Sequence, residues 1–175
     1  DARVGMLPPK LAQTIVNLAT GPLVAPSVAN PDGDGVLPGP VLDPFCGTGV
    51  ILQEASLMGY DSFGTDLEPR MIEYSIGNLH WLRQKWSDVD TNVRIELGDA
   101  TTHKWKQPIG AVAGETYLGA PLTSLPKPDD LRKIIENTNA IHQKFLQNIA
   151  DQLQPGTRLC LAVPAWSVVK GAFLR

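Results

Sequence analysis

Four acidic residues stand where strands are predicted to end, and their order along the chain is the first pointer to chemistry. Asp43 closes the apolar pair Val41-Leu42 and is followed by Pro44-Phe45-Cys46-Gly47-Thr48-Gly49. Gly47 and Gly49 allow a turn that side chains would block. Val50-Ile51-Leu52 then opens an apolar helical pattern that reaches Met58. Strand, acid, glycine turn and helix make the local design of a nucleotide-type cofactor site at the carboxyl end of a parallel strand. Asp66 follows at about the twenty-residue distance at which a strand-end acid accepts hydrogen bonds from ribose hydroxyls. It also suits a helix N-cap, since Pro69 starts a helix just beyond. Asp99 comes after a third strand and fits either an ordinary turn or an acceptor for the amine of an adenine. Its place in series with Asp43 and Asp66 favours the second. Glu115, with Tyr117 and Gly119 close behind, leaves a fourth strand end beside the same expected pocket.

The elements that must position these residues are legible from periodicity. A helix is expected over 8–19, with Pro9 in its first turn and Leu11, Ile15, Leu18 and Ala19 as its apolar face. Lys10, near its start, is within reach of a ligand carboxylate. Residues 20–40 are dense in Gly and Pro and read as a surface loop. The Asp-Gly pairs there lack the downstream Glu of a calcium loop. Residues 60–66 and 92–97 read as the second and third strands and 109–113 as the fourth. A helix from Pro69 to about Trp86 should bury Met71, Ile72, Ile76, Leu79 and Leu82. Another starts at Asp129-Asp130, favourable for its dipole, and runs to about Leu153, with Leu131, Ile134, Ile135, Ile141, Phe145, Ile149 and Leu153 expected to be buried. Arg158 to Val163 is the fifth strand. This alternation predicts an α/β fold: a parallel-rich sheet with helices on both faces.

Composition narrows the class. The chain has 175 residues, 43% of them hydrophobic, enough for one domain with a sizeable core. No apolar run is long enough for a transmembrane helix, and the first residues lack a signal-peptide pattern. Cys46 and Cys160 do not form a metal-ligand spacing, and His103 has no partner that suggests a metal, so a reduced, intracellular (cytoplasmic) protein without a metal is the simplest reading. The formal net charge is −3, which argues against strong nucleic-acid binding by this chain as a whole. A polyanionic substrate would need a local basic patch or a further domain. Thr102-His103-Lys104-Trp105-Lys106 reads first as a solvated connection. Trp81 and Trp86 are placed as rim or core aromatics. The chain opens without Met and stops at Phe-Leu-Arg, so residues 1–175 read as one catalytic domain in a fragment.

At this point the residues resemble a known family. Asp43-Pro44-Phe45-Cys46-Gly47-Thr48-Gly49 is similar to the first motif of class I S-adenosylmethionine-dependent methyltransferases, which have a Rossmann-like fold. Met6-Leu7-Pro8-Pro9-Lys10-Leu11-Ala12, Asn17-Leu18-Ala19, Gly59-Tyr60 and Gly64-Thr65-Asp66-Leu67-Glu68-Pro69-Arg70-Met71 appear in order around it. Together they resemble the catalytic domain of the RNA methylase family that modifies tRNA guanine on its exocyclic amine, whose members commonly carry a THUMP RNA-binding domain. The resemblance implies that Asp43, Phe45, Gly47 and Gly49 surround the methionine part of S-adenosylmethionine, with Lys10 near that end. It implies that Asp66 holds the ribose hydroxyls, Leu67 packs on the adenine and Asp99 meets its amine.

The chain departs from the family pattern in two places. The fourth motif is usually Asp or Asn, then Pro-Pro, then Tyr or Phe; here it is Glu115-Thr116-Tyr117-Leu118-Gly119, without either proline. Glu115 stands in for the acid that accepts hydrogen bonds from the target amine, and Tyr117 for the aromatic that stacks on the flipped base. The family sheet also ends in an antiparallel pair, and the tail from Pro164 to Arg175 is expected to be too short for it. The chain is therefore expected to be truncated before the last two strands and to need an additional RNA-binding domain, since no THUMP domain precedes Asp1. Two other readings stay open. One is amino-methylation of adenine or cytosine in DNA; the other is a non-catalytic, cofactor-binding scaffold. A Rossmann dehydrogenase is disfavoured because Leu52 stands where its third glycine would be.

Overall fold

The computed structural model describes residues 6–21, 39–119, 122, 126–169 and 172–174. Most of the Gly- and Pro-dense loop, with its Asp-Gly pairs, lies outside these residues. The described chain runs α1 (Pro9–Thr20), β1 (Val41–Asp43), α2 (Val50–Leu57), β2 (Ser62–Asp66), α3 (Pro69–Lys85), β3 (Val93–Leu97), β4 (Ala111–Glu115), α4 (Pro128–Ala150), β5 (Arg158–Ala162), β6 (Trp166–Val169) and β7 (Ala172–Leu174).

Strands β1 to β5 form one parallel sheet in the order β3-β2-β1-β4-β5. The chain builds outward from β1 to β2 and β3, then returns to the other side of β1 for β4 and β5. That reversal leaves a crevice at the carboxyl ends of β1 and β4, where open α/β sheets bind ligands. Side-chain alternation sends β1 and β4 residues to opposite faces. Val41, Ala111 and Ala113 pack with Ala12, Ile15, Val16 and Ala19 of α1 and with Ile51 and Ala55 of α2. Leu42, Val112 and Phe63 pack on the other face against Phe145 and Ile149 of α4. Leu79 and Leu82 of α3 join Cys46 and Leu52 in a third cluster.

Several expectations shift. The buried side of α1 is Ala12, Ile15, Val16, Ala19 and Thr20, whereas Leu11 and Leu18 are exposed. Small residues let α1 lie close to both the sheet and α2, and the larger leucines fall one row outward. On α3 the buried stripe is Ser75, Leu79 and Leu82, and Ile76 is exposed. Strand β4 extends to Glu115, so the acid is its last residue rather than part of the following loop. The main sheet stops at five strands, and the tail adds a short pair that was not expected. β6 and β7, with four and three residues, form an antiparallel pair as a separate two-stranded sheet. Antiparallel neighbours need no crossover, so a short tail suffices.

Phe145 ties this packing to the crevice. It is fully buried under the sheet and meets Phe45 edge-on, with ring centroids 5.0 Å apart at 73°. Phe145→Ala should cost about 3–5 kcal/mol, read as a lowered urea midpoint.

Candidate functional site

The turn after β1 is held by hydrogen bonds from its neighbours. The Cys46 N–H donates to the Thr65 carbonyl at 2.8 Å, and the Thr65 hydroxyl donates to the Pro44 carbonyl at 3.1 Å. From α3, the Ser75 hydroxyl donates to the Gly47 carbonyl at 2.7 Å and the Asn78 side-chain amide to the Thr48 carbonyl at 2.9 Å. Gly47 and Gly49 both have positive φ, 51° and 80°. A Cβ on Gly49 would sit 2.9 Å from Ser75 Oγ and 3.3 Å from its Cα, so this position needs glycine for close approach as well as conformation. Ser75 and Asn78 escaped sequence reasoning. Their signal was polarity at helical spacing on or beside the side of α3 that faces the core.

Asp66 is the cross-brace between the two motifs. Its Oδ2 accepts from the Gly47 N–H at 2.8 Å and its Oδ1 from the Glu68 N–H at 2.9 Å. The N-cap of α3 is Glu68, so Asp66 does not cap that helix. Each of its oxygens keeps lone-pair capacity for a ligand hydroxyl.

Asp43 is buried, and its Oδ1 accepts from the Phe45 N–H at 3.1 Å. Burial raises its pKa well above the ordinary carboxylate range; the Phe45 hydrogen bond opposes this, and the charges of Asp66 and Glu115 add to it. A Cβ on Gly114 would come within 2.8 Å of Asp43 Oδ1, so β4 is bare where β1 presents its acid. Burial also raises the pKa of Glu115. The buried Cys46 thiol is pushed far up by burial and by Asp43 and Asp66, which makes it an inert core group rather than a nucleophile.

A cavity of about 1070 Å³ opens over the strand ends, lined by Phe45, Asp66, Leu67, Asp99, Glu115 and Tyr117 among others. A recess of about 60 Å³ adjoins it, lined by Leu7, Asp43, Phe45, Gly47, Thr48 and Glu115 among others. Phe45 and Glu115 border both. The structure thus brings together eight of the expected residues: Asp43, Phe45, Gly47, Asp66, Leu67, Asp99, Glu115 and Tyr117. It leaves two outside. Gly49 lies buried beneath the turn, and Lys10 is exposed on α1; neither lines either space. Leu67, 70% exposed, offers an apolar surface at the rim. Asp99 Oδ1 accepts from the Thr101 N–H and hydroxyl at 2.8 and 2.7 Å, which fixes its carboxylate.

The proline-free segment after β4 is anchored by side chains instead. The Thr116 N–H and hydroxyl both donate to the Ala162 carbonyl, at 2.9 and 3.0 Å. His142 Nε2 lies 3.0 Å from the Tyr117 carbonyl, where it donates. Gly119, at φ 93°, faces Ile134 and Thr138 of α4. Helix α4 also supplies Ile134, Ile141 and Lys144 to the cavity wall. Sequence reading placed the two isoleucines in the core; they are half-buried because one side faces the cavity. Lys144 is the sole cation among the described lining residues.

No family model matches the chain. It is 30% identical over 161 residues to the tRNA (guanine(10)-N2)-dimethyltransferase of Methanothermobacter thermautotrophicus, across 91% of this chain and 39% of that protein. A protein of the same name from Pyrococcus abyssi is 31% identical over 130 residues, across 73% of this chain and 33% of the relative. The chain thus spans well under half the length of these curated relatives. Among solved structures, a possible methylase from Clostridium difficile 630 matches with a TM-score of 0.57 at 14% identity, over 83% of this chain and 41% of the other.

The buried acid makes a thermodynamic prediction. The Asp43 pKa is raised on folding, so the folded state holds its proton more tightly and stability falls as pH rises above the ordinary value of 3.8. Asp43→Asn should therefore raise the urea midpoint of the ligand-free protein at pH 7. The gain should vanish below the ordinary carboxylate pKa, where both states are protonated. Urea unfolding across pH 3.5–7.5 checks this.

Proposed function

We propose that this chain is the catalytic domain of a methyltransferase that moves the methyl group of S-adenosylmethionine to the exocyclic amine of a guanine in tRNA. The fold, with the five-stranded order and switch-point crevice described above, is that of the class I S-adenosylmethionine-dependent methyltransferases. The observation that carries the proposal is convergence. The acids that end or follow β1, β2, β3 and β4 all face one cavity and its adjoining recess. The curated relatives named for guanine-N2 methylation of tRNA support the substrate class.

The residues present fit the cofactor. Asp66, pinned by the Gly47 and Glu68 amides, has acceptor capacity for the paired ribose hydroxyls. Asp99, held by Thr101, offers an acceptor for the adenine amine, and Leu67 an apolar face for the ring. Asp43, Phe45 and Gly47 enclose the recess suited to the methionine end. The acids outnumber the single lysine of the wall, so the local field favours a ligand with positive charge at sulfur.

When bound, S-adenosylmethionine supplies a methyl group already activated by its sulfonium. The protein then has to align nucleophile, methyl and sulfur, which is catalysis by positioning. Glu115, bordering both cavity and recess, accepts a hydrogen bond from the guanine amine and orients its lone pair. Tyr117, on the larger cavity, stacks on the extruded base. Thr116 and His142 hold these two groups in register without the family's prolines. We further propose that the whole protein carries an RNA-binding domain of the THUMP type and acts in the cytoplasm. Among the described residues no helix is long and apolar enough to cross a membrane.

Methyl transfer from labelled S-adenosylmethionine to unmodified tRNA by the complete protein tests the proposal. Incorporation into DNA instead of tRNA would favour adenine or cytosine as target. Cofactor binding without transfer to either would favour a scaffold. Glu115→Gln should lower kcat by about a hundredfold or more with cofactor Kd little changed. Because Glu115 must be ionised and its pKa is raised, wild-type kcat/KM should rise with pH through that raised value and then level off. A flat profile from acid to neutral pH would remove Glu115 from that role.

A further inference from the structure

We infer that the outer face of α3 is an RNA-strand platform that extends from the rim of the cavity, an inference that rests on the proposed RNA substrate. Arg70, Tyr74, Trp81 and Lys85 fall within about 60° of one another around the helix and span roughly 22 Å along it. All four are exposed. Arg70 donates to the Tyr74 hydroxyl at 3.1 Å, and its guanidinium lies 5.9 Å from the centre of that ring. Trp81, 54% exposed, meets Trp86, 40% exposed, edge-on at 5.7 Å and 76°. The stripe therefore alternates cation, aromatic, aromatic, cation, and Trp86 broadens the aromatic surface at its far end.

Among the described residues, α3 packs by its opposite side and leaves this surface open. The buried side of α3 is Ser75, Leu79 and Leu82. Glu73 lies about a sixth of a turn from Arg70 around the helix; it and Glu68 act electrostatically on Arg70 but fall outside the stripe itself. Gly77, between Tyr74 and Trp81, leaves open space: a Cβ there would meet nothing within 4 Å. The stripe is also continuous with the site. Asp66 and Leu67 line the cavity just before α3 begins, and Asn78 at the stripe's edge holds the glycine turn.

Interleaved cations and exposed π faces match an unpaired nucleic-acid strand, with phosphates on Arg70 and Lys85 and bases on Tyr74 and Trp81. The stripe is thus the local basic patch that a chain of net charge −3 needs to approach a polyanion.

An unstructured RNA probe of roughly twelve nucleotides tests this without a target guanine, and so separately from methyl transfer. Binding is read by fluorescence anisotropy of the labelled probe, with circular dichroism to verify the fold. Trp81→Ala should weaken binding roughly tenfold or more. Arg70→Gln with Lys85→Gln should lower the slope of log affinity against log salt by roughly 1.4. Cofactor Kd should not change for any of these. Loss of probe affinity in these variants supports the platform even if tRNA guanine proves not to be the methylated group. Absence of probe binding by the unsubstituted chain, or equal binding by the variants, overturns it and leaves a protein partner as the occupant of the stripe.

Discussion

The hydrogen bond from the Gly47 N–H to Asp66 Oδ2 is the contact on which the rest of the crevice depends. It joins the turn after β1 to the end of β2, two segments separated by the whole of α2. The neighbouring bonds reinforce the same junction, Cys46 N–H to Thr65 O on one side and Ser75 Oγ to Gly47 O on the other. A charge-assisted bond to a carboxylate is stronger than one between neutral groups. It also fixes the carboxylate in the orientation in which its remaining lone pairs face the cavity. A side chain chosen to meet a ligand is thus the same one that closes the turn, so the ligand-free fold already holds the site in shape.

The opposite wall is built differently. β4 is bare at Gly114 so that Asp43 can approach, and the segment beyond it is tied down at Thr116, at the Tyr117 carbonyl and at Gly119. Two prolines would stiffen such a segment by fixing φ. Here hydroxyl and imidazole donors from the segment itself and from α4 restrain it instead. Because the anchors lie partly on α4, movement of that helix would be felt at Tyr117, at Ile134 and Ile141, and through Phe145 at Phe45. The β4 side of the crevice is coupled to one helix, whereas the β1–β2 side is coupled to the sheet.

Much of this was legible in the sequence because the site is local in the chain at each strand end. Asp43 and Glu115 close short apolar runs, Asp66 and Asp99 close or follow strands marked by their flanking turns, and parallel strands bring such residues to one edge. The illegible parts depended on packing. Leu11 and Leu18 fitted a helical period yet face outward, because α1 uses the small row beside them to approach the sheet. Ile134 and Ile141 read as core because apolar periodicity does not distinguish a packed face from a cavity wall. Lys10 stood near the site by motif order alone, and α1 places it outside both spaces. The hairpin of β6 and β7 was missed because length was weighed against a full sheet addition, and the two strands instead pair with each other.

On the proposed RNA substrate, the placement of charge reconciles a chain with more acids than bases with a polyanion. The carboxylates are gathered at the strand ends, where burial raises the pKa values of Asp43 and Glu115 and repulsion from Asp66 and Glu115 raises that of Asp43 further. A ligand with positive charge would relieve that repulsion. The same carboxylates would repel an RNA backbone that approached the strand edge directly. The proposed platform on α3, outside the pocket and beside its rim, would hold the phosphates at a distance while one base enters. The acidic pocket and the basic stripe are then not in conflict: separating them on adjacent elements lets one chain discriminate between a cation to be held inside and an anion to be held outside.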